Sequence, residues 1–441
     1  MANIYSVSLG CPKNRVDLEH LLASIPEMKP VNDIREADCV IINTCAFIEP
    51  AIRESVSVIA EAIEDIAEVS SDMRPLLVVS GCLVGRFGKN TLAPELSEVD
   101  LWLDNRELAA WPEALRSLLA TRNGGYPALS GKTRCLSTAP SYAWLKISDG
   151  CDHACAFCTI PSIRGKFRST PGDGLVHEAK ELLGYGVREL ILVAQDTTAW
   201  GKDLPLEKGL QALVERLLPL PGLEWLRIMY MYPAGLSREF LRFLRDAGPP
   251  FVPYFDIPVQ HAHPDILARM GRPFARDPER ALDRVREFFP AAALRTSIIV
   301  GFPGETDEHF RTLCDFVERT RFLHLGVFAY QAEEGTPAAR MRKQVPQAIK
   351  EERRNTLMAL QAEISEELLG EFVGDRMDVL VDAAHPEWPG LFTGRTWFQA
   401  PDIDGLTYIS GPGVDAGKMV TADIVESRVY DLVGLTDPDG A

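Results

Sequence analysis

The sequence predicts an α/β protein in three parts: an open α/β domain at the N-terminus, a partial or full parallel (β/α) barrel in the centre, and a small β-barrel at the C-terminus. Three observations predict it. Short runs rich in Val, Ile and Leu alternate with helical stretches from residue 4 to about residue 330, the pattern of strands buried on both faces of a parallel sheet. A charged helical stretch follows Pro346. Beyond residue 371 apolar and polar residues alternate with a period of two, which marks half-buried antiparallel strands.

The runs at residues 4–9, 39–43 and 76–80 read as strands, with helical stretches at 14–25 and 51–68 between them. This first domain is expected over residues 1–120, ending at the polar stretch Thr121-Arg122-Asn123-Gly124-Gly125. Six further candidate strands, at 143–148, 189–194, 225–230, 254–259, 295–300 and 324–330, place the second domain at 137–368. Ligands of such folds gather at the carboxyl ends of the strands. The helix from Pro346 to about Leu369 carries Ile349, Leu357, Leu360, Ile364 and Leu368 on one face, which is expected to pack inward. Met377, Val379 and Val381 alternate with Asp378 and Asp382, and Gly411-Pro412-Gly413 supplies a turn. Residues 371–438 therefore read as the small barrel.

Composition narrows the function classes. A hydrophobic share of 46% is ordinary for a globular protein in water. No apolar run approaches the roughly 20 residues that span a bilayer. The start Met1-Ala2-Asn3-Ile4-Tyr5-Ser6 lacks the basic residues and apolar core of a signal peptide. The expectation is a cytoplasmic protein with no membrane partner. A net charge of -17 repels phosphate backbones, which argues against direct RNA binding and for a basic partner. Nine cysteines in a reducing compartment point to metal ligation rather than disulfides.

Six of those cysteines form two patterns. Cys151, Cys155 and Cys158 have C-x3-C-x2-C spacing just after a candidate strand. Three thiolates on one tight loop can hold three irons of a four-iron cluster. The fourth iron stays open, and an open position is what lets a metal site do chemistry. The competing reading is a structural zinc site with His153 as fourth ligand. Cys11, Cys45 and Cys82 each follow the end of a candidate parallel strand. Adjacent strands lie about 4.8 Å apart, so three such positions can converge on one metal group. The competing reading is three unrelated buried thiols. Cys39, Cys135 and Cys314 show no comparable placement and are expected to be non-ligands.

Longer motifs surround these cysteines. They are Ser8-Leu9-Gly10-Cys11-Pro12-Lys13-Asn14-Arg15-Val16-Asp17, Asp149-Gly150-Cys151, Cys158-Thr159-Ile160-Pro161-Ser162-Ile163-Arg164-Gly165, Tyr254 to Ala262, and Gly301-Phe302-Pro303-Gly304-Glu305-Thr306. Along nearly its whole length the chain resembles the radical S-adenosylmethionine (SAM) methylthiotransferase family. The resemblance implies an N-terminal domain carrying an auxiliary cluster, a radical SAM core and a C-terminal TRAM barrel. It implies two 4Fe-4S clusters, one on Cys151, Cys155 and Cys158 that binds SAM, the other on Cys11, Cys45 and Cys82. Gln195 and Asp196 end one barrel strand and Gly301, Gly304 and Glu305 follow another, which makes them candidate SAM contacts. His261 and His263 are assigned no role.

The family has a branch acting on transfer RNA and a branch acting on an aspartate of the small-subunit ribosomal protein uS12. The forms around Cys11 and after Cys158, with residues 326–337, resemble the protein-modifying branch. Leu18 departs from it, standing where a small polar residue is commoner. The resemblance implies reductive SAM cleavage, hydrogen removal from the aspartate β-carbon, and transfer of a methylthio group whose methyl comes from a second SAM. It also implies an electron donor such as flavodoxin or ferredoxin, and a sulfur donor. A non-catalytic electron-transfer or scaffold protein would carry the same clusters without SAM cleavage. After residue 371 acids such as Asp375, Asp382, Asp402 and Asp404 outnumber Arg376, Arg395, Lys418 and Arg428. An acidic barrel suits a basic ribosomal protein.

Overall fold

Cys39–Thr44 and Leu76–Gly81 are buried along their whole length. In the computed structural model, which describes residues 2–25, 28–123, 132–274 and 277–437, they are central strands of a five-stranded parallel sheet. Its order is Met28–Pro30, Ala2–Ser8, Cys39–Thr44, Leu76–Gly81, Leu101–Asp104. Val40, Ile42, Leu77 and Val79 meet Ile59, Ala62 and Ile66 of helix Glu49–Ala67 on one face. Ile41 and Val78 meet Leu18, Leu21 and Leu22 of helix Pro12–Ala23, with Leu115 and Leu119, on the other. Each such fully buried side chain contributes roughly 1.5–3 kcal/mol. Leu18 is thus a core residue, which accounts for an apolar side chain at that position. The edge strands Met28–Pro30 and Leu101–Asp104 add to the three expected ones. The expected boundary at Gly124-Gly125 lies outside the described residues.

The chain divides into two compact units. The first comprises Met1–Ser137, Asp149–His153 and Cys158–Arg168, the second Thr138–Ser148, Ala154–Phe157 and Ser169–Ala441. In the second unit all six expected strands are present, in chain order and parallel: Tyr142–Lys146, Glu189–Val193, Trp225–Ile228, Phe251–Asp256, Ala293–Val300 and His324–Ala329. The first and last do not pair, so the barrel is partial among the described residues. Helices such as Gly172–Gly184 and Asp307–Thr320 connect the strands.

Helix Gln347–Gly370 follows. Its buried face differs from the expected apolar stripe. Leu357 and Ile364 are buried, but Ile349 is exposed, and Lys350, Arg353, Gln361 and Ser365 share the buried face. Hydrogen bonds compensate: Gln361 Nε2 donates to Phe322 O at 2.7 Å, Ser365 Oγ to Leu323 O at 3.1 Å, and Lys350 Nζ to Tyr330 O at 2.8 Å. Five strands then close a small barrel in the order Arg376–Ala384, Leu391–Arg395, Thr407–Ser410, Leu432–Leu435, Met419–Ser427.

Buried charges join this barrel to the amino ends of the six strands. Glu189 accepts from Arg227 Nε at 2.7 Å and from Arg395 Nη1. Arg395 also donates to Asp382 at 2.7 and 2.9 Å. Asp404 accepts from Tyr254 Oη at 2.7 Å and pairs with Arg295 Nε at 3.3 Å. Burial pushes the Glu189 carboxyl up, but Arg227 and Arg395 outweigh it and hold it below its ordinary value. Asp382, Asp404 and Arg395 therefore do not belong to the solvent-facing charge that their positions in the sequence suggest. The barrel surface stays acidic without them: Asp375, Asp378, Asp402, Asp415, Asp423 and Glu426 are exposed. No helix among the described residues is long and apolar enough to cross a membrane.

Candidate functional site

The first cysteine set lies within the first unit. Ser8 stands opposite Asn43 and Thr44 opposite Gly81, so three adjacent strands end at one level and Cys11, Cys45 and Cys82 follow those ends. Gly10 has φ +85°, and a Cβ there would stand 2.6 Å from Cys45 Cβ and 2.7 Å from its Sγ. Only glycine lets these two turns approach so closely. Ser55, fully buried, clamps Cys45: its Oγ accepts the Cys45 N–H at 3.1 Å and donates to the Cys45 carbonyl at 2.7 Å. Thr44 Oγ1 donates to Ser80 O at 2.6 Å, and Asn105 Nδ2 donates to Cys82 Sγ at 3.5 Å.

Asn14 is the hub of this arrangement and is fully buried. Its Nδ2 donates to Leu9 O at 2.9 Å and to Thr44 O at 3.0 Å, which grips the turns before Cys11 and before Cys45. Its Oδ1 accepts from Cys82 Sγ at 3.5 Å. One amide thus touches the surroundings of all three cysteines. Arg164, also buried, donates Nη2 to the same Asn14 oxygen at 2.5 Å.

The three thiols are electrostatically distinct. Burial pushes Cys11 up, but Lys13, Arg164 and the N–H groups of Asn14 and Lys13 outweigh it, so this thiol sits below its ordinary value. Burial pushes Cys45 up to about 12 and raises Cys82 as well. A metal-free protein would hold the latter two as neutral thiols. Three sulfurs that influence one another, two of them buried as neutral thiols and flanked by a buried guanidinium, fit an anionic thiolate-bound metal group. Cluster binding would displace the thiol protons.

Cys151, Cys155 and Cys158 are all half-buried, and each is held by its own surroundings. In the first unit the Cys151 N–H donates to Gly165 O at 3.2 Å and the Phe167 N–H to Asp152 Oδ1 at 3.0 Å. Thr159 Oγ1 donates to Phe47 O at 3.0 Å. In the second unit Arg272 Nη1 lies 3.5 Å from Cys155 Sγ, with its guanidinium over the rings of Tyr232, Phe274 and Phe157 at 5.1, 5.5 and 5.8 Å. The Ala156 N–H donates to Met270 O at 3.0 Å. Half-exposed cysteines, one of them beside a cation, suit a cluster that must meet a small molecule.

The candidate SAM residues occupy carboxyl-end loops of the second unit. The Gln195 side-chain amide is buried, and neither its oxygen nor its nitrogen has a hydrogen-bond partner among the described residues. Leaving such a group unpaired costs about 1–3 kcal/mol, so it fits a site that a polar ligand completes. Asp196 is buried and accepts from Thr198 Oγ1 at 2.6 Å. Glu305 turns inward: its carboxylate accepts the Gly301 N–H at 3.0 and 2.9 Å and pairs with Arg353 Nη1 at 2.8 Å, and His261 Nε2 stands 3.4 Å away. Burial pushes that carboxyl up, and His261, the Gly301 N–H and Arg353 outweigh it. Gly304, with φ +85°, donates its N–H to Lys343 O at 2.8 Å. Glu305 therefore fixes the shape of the loop that Gly301 and Gly304 form.

His263, Asp265 and His309 also lie close together. The Nδ1 of each imidazole accepts a backbone N–H, from Asp265 at 3.2 Å and from Thr306 at 3.2 Å. Both Nδ1 nitrogens are thus engaged at helix starts, so this group caps two helices. Of the remaining cysteines, Cys39 is buried inside its strand, the Cys135 N–H donates to Glu19 O, and Cys314 lies on helix Asp307–Thr320.

Comparison with known proteins agrees with this architecture. Residues 145–317 match the radical SAM superfamily, residues 373–436 the TRAM domain, and residues 3–104 the uncharacterized protein family UPF0004. The chain is 64% identical over 436 residues to the ribosomal protein uS12 methylthiotransferase RimO of Nitratidesulfovibrio vulgaris strain DP4, covering 99% of this chain and 100% of that one. The chain belongs to the RimO family. The RimO protein of Lawsonia intracellularis is 52% identical, with coverage of 98% and 97%. Among solved structures, the radical SAM methyltransferase TsrM from Kitasatospora setae aligns with a TM-score of 0.55, covering 89% of this chain and 80% of that one. At 14% identity it shares the fold alone.

Three polar residues of this RimO-family site go beyond the sequence reading. Asn14 and Arg164 lie inside quoted motifs, but a motif does not tell which members converge. Arg272 had only its place after Gly271 as a signal. That glycine has φ +76°, and a Cβ there would stand 2.8 Å from Ala154 O, so the two loops touch.

Proposed function

We propose that this chain is a radical SAM transferase that places a methylthio group on the β-carbon of an aspartate of ribosomal protein uS12. Full-length identity to RimO proteins supports the reading. The observation that carries it is the convergence of Cys11, Cys45 and Cys82 on one buried amide, Asn14, beside a second cysteine set on the Cys151–Cys158 loop. Two thiolate sets imply two 4Fe-4S clusters and divided labour. When bound, the cluster on Cys151, Cys155 and Cys158 with SAM supplies a carbon radical able to remove a hydrogen that no general base could take.

The chain's own residues then bind, orient and exclude water. Gln195 and Asp196 offer the polar contacts for SAM. Gly301 and Gly304 let the neighbouring loop approach the cofactor, and Glu305 holds that loop's shape. Cys11, Cys45 and Cys82 hold the sulfur-delivering cluster beside the buried Asn14 and Arg164. The acidic barrel surface favours a basic protein over RNA. Working domains of 1–120, 137–368 and 371–438 fit this division. The reaction needs an electron donor such as flavodoxin or ferredoxin and a sulfur source, and uS12 places it in the cytoplasm.

The test is mass spectrometry after incubating anaerobically reconstituted protein with SAM, reductant and either uS12 or transfer RNA. A methylthio group on a uS12 aspartate is expected. A methylthio group on transfer RNA alone would overturn the substrate assignment.

A further inference from the structure

Arg164 stands six residues after Cys158, yet its guanidinium belongs to the other cysteine set. Its side chain is 1% exposed. Nη2 donates to Asn14 Oδ1 at 2.5 Å, both Nη1 and Nη2 reach Asp17 Oδ2 at 3.2 Å, and Nη1 donates to Asp149 Oδ1 at 2.9 Å. The Asn14 oxygen that it holds is the one 3.5 Å from Cys82 Sγ. All these residues lie in the first unit. We infer that Arg164 is the fixed positive charge that sets the reduction potential of the metal cluster carried by Cys11, Cys45 and Cys82, while tying that site to the segment that follows the Cys151–Cys158 loop. The inference rests on the reading that those three cysteines hold a cluster.

The physical argument is one of charge in a dry place. A four-iron cluster on three thiolates is an anion, and reduction adds one more negative charge. Burial opposes that addition, because an uncompensated charge away from water is costly. Asp17 and Asp149 add negative charge beside it. Arg164 is buried between them, and a guanidinium does not lose its proton. The Asp149 and Asp17 carboxylates beside it oppose the effect of burial and keep it charged. A residue that merely paired with Asp17 and Asp149 would have no need of the Asn14 oxygen. Removing the guanidinium would leave the Asp17 and Asp149 carboxylates beside three thiolates without the cation that both of them contact.

The experiment uses the full-length chain with Cys151, Cys155 and Cys158 changed to Ala, reconstituted anaerobically so that one cluster remains. Its midpoint potential is followed by electron paramagnetic resonance during a redox titration. Arg164→Met is expected to lower the midpoint, so that at a fixed poise the reduced-to-oxidised ratio falls at least about tenfold, or about 59 mV for one electron. Arg164→Lys should stay within a few-fold of the parent. Asp17→Asn, which removes a negative charge from the same guanidinium, should shift the ratio the other way. A cluster retained in Arg164→Met with an unchanged midpoint overturns the inference. If Arg164→Met holds no iron, Asp17→Asn decides: an unmoved midpoint overturns the inference, and a raised one supports it. Failure of the parent itself to hold iron would instead overturn the assignment of Cys11, Cys45 and Cys82 as ligands, and this inference with it.

Discussion

Cys11, Cys45 and Cys82 come from three strand ends and meet only once a five-stranded sheet has formed. Cys151, Cys155 and Cys158 sit on eight consecutive residues. Cys45 and Cys82 of the dispersed set are buried, while every member of the contiguous set is half-exposed. The contrast separates two ways of making a metal site. A contiguous loop can capture metal with little help from the fold, and it leaves room for a small molecule. A dispersed set is created by folding, so its metal affinity is bound up with the stability of the domain. It gains burial of two of its three sulfurs in exchange, and a buried amide and a buried guanidinium stand beside them.

Substitution of the cysteines should break the comparison most visibly. Changing Cys151, Cys155 or Cys158 to Ala should reduce release of 5′-deoxyadenosine from SAM to background. Changing Cys11, Cys45 or Cys82 to Ala should leave that release within a few-fold of the parent and abolish the methylthiolated product. Loss of SAM cleavage in a folded variant of the second group would show that the two sets do not divide the labour.

Asn14→Ala sharpens the same contrast with a smaller effect. It removes contacts to Leu9, Thr44 and Cys82 together, each worth about 0.5–1.5 kcal/mol. Iron per chain should fall from about eight towards about four, with SAM cleavage retained. Iron analysis alongside the cleavage assay checks this. Equal loss from both sets would mean that Asn14 supports the unit as a whole.

The smallest effect is expected at Gln195, proposed above as a polar contact for SAM alone. Gln195→Ala should weaken SAM binding about tenfold, the equivalent of about 1.4 kcal/mol. The Tm of the ligand-free protein should hold or rise, because an unpaired buried amide is removed. Calorimetric titration with SAM and a thermal melt measure the two quantities. Unchanged affinity would remove Gln195 from the SAM site.

Much of this was legible in the sequence. Nine expected strands are present, because buried parallel strands such as Val40-Ile41-Ile42 and Leu77-Val78-Val79 advertise themselves as apolar runs. The cysteine positions after strand ends followed from the same reading. Met28-Lys29-Pro30 did not, since three residues show no period. The buried face of Gln347–Gly370 was misjudged because pattern reading equates burial with apolar character, and Arg353, Gln361 and Ser365 are buried through hydrogen bonds instead. Charge counting failed at Asp382 and Asp404 for the same reason. The Asn14–Arg164 contact joins residues far apart in the chain, and no local signal reports such a meeting.

The buried pairing of Glu189, Arg227, Arg395 and Asp382, and of Asp404 with Arg295 and Tyr254, bears on how freely this chain can be recombined. Removing one member of a buried ion pair typically costs about 3–5 kcal/mol, a large part of the stability of an ordinary domain. Grafting a foreign C-terminal barrel onto this core, or cutting the chain near residue 371, would take Arg395 from Glu189, the Trp397 carbonyl from Arg227 and Asp404 from Arg295. A chimera designed to redirect the enzyme to another substrate would have to carry Asp382, Arg395 and Asp404 across the junction. In this family member the barrel is less an interchangeable attachment than the floor on which the six-stranded sheet stands.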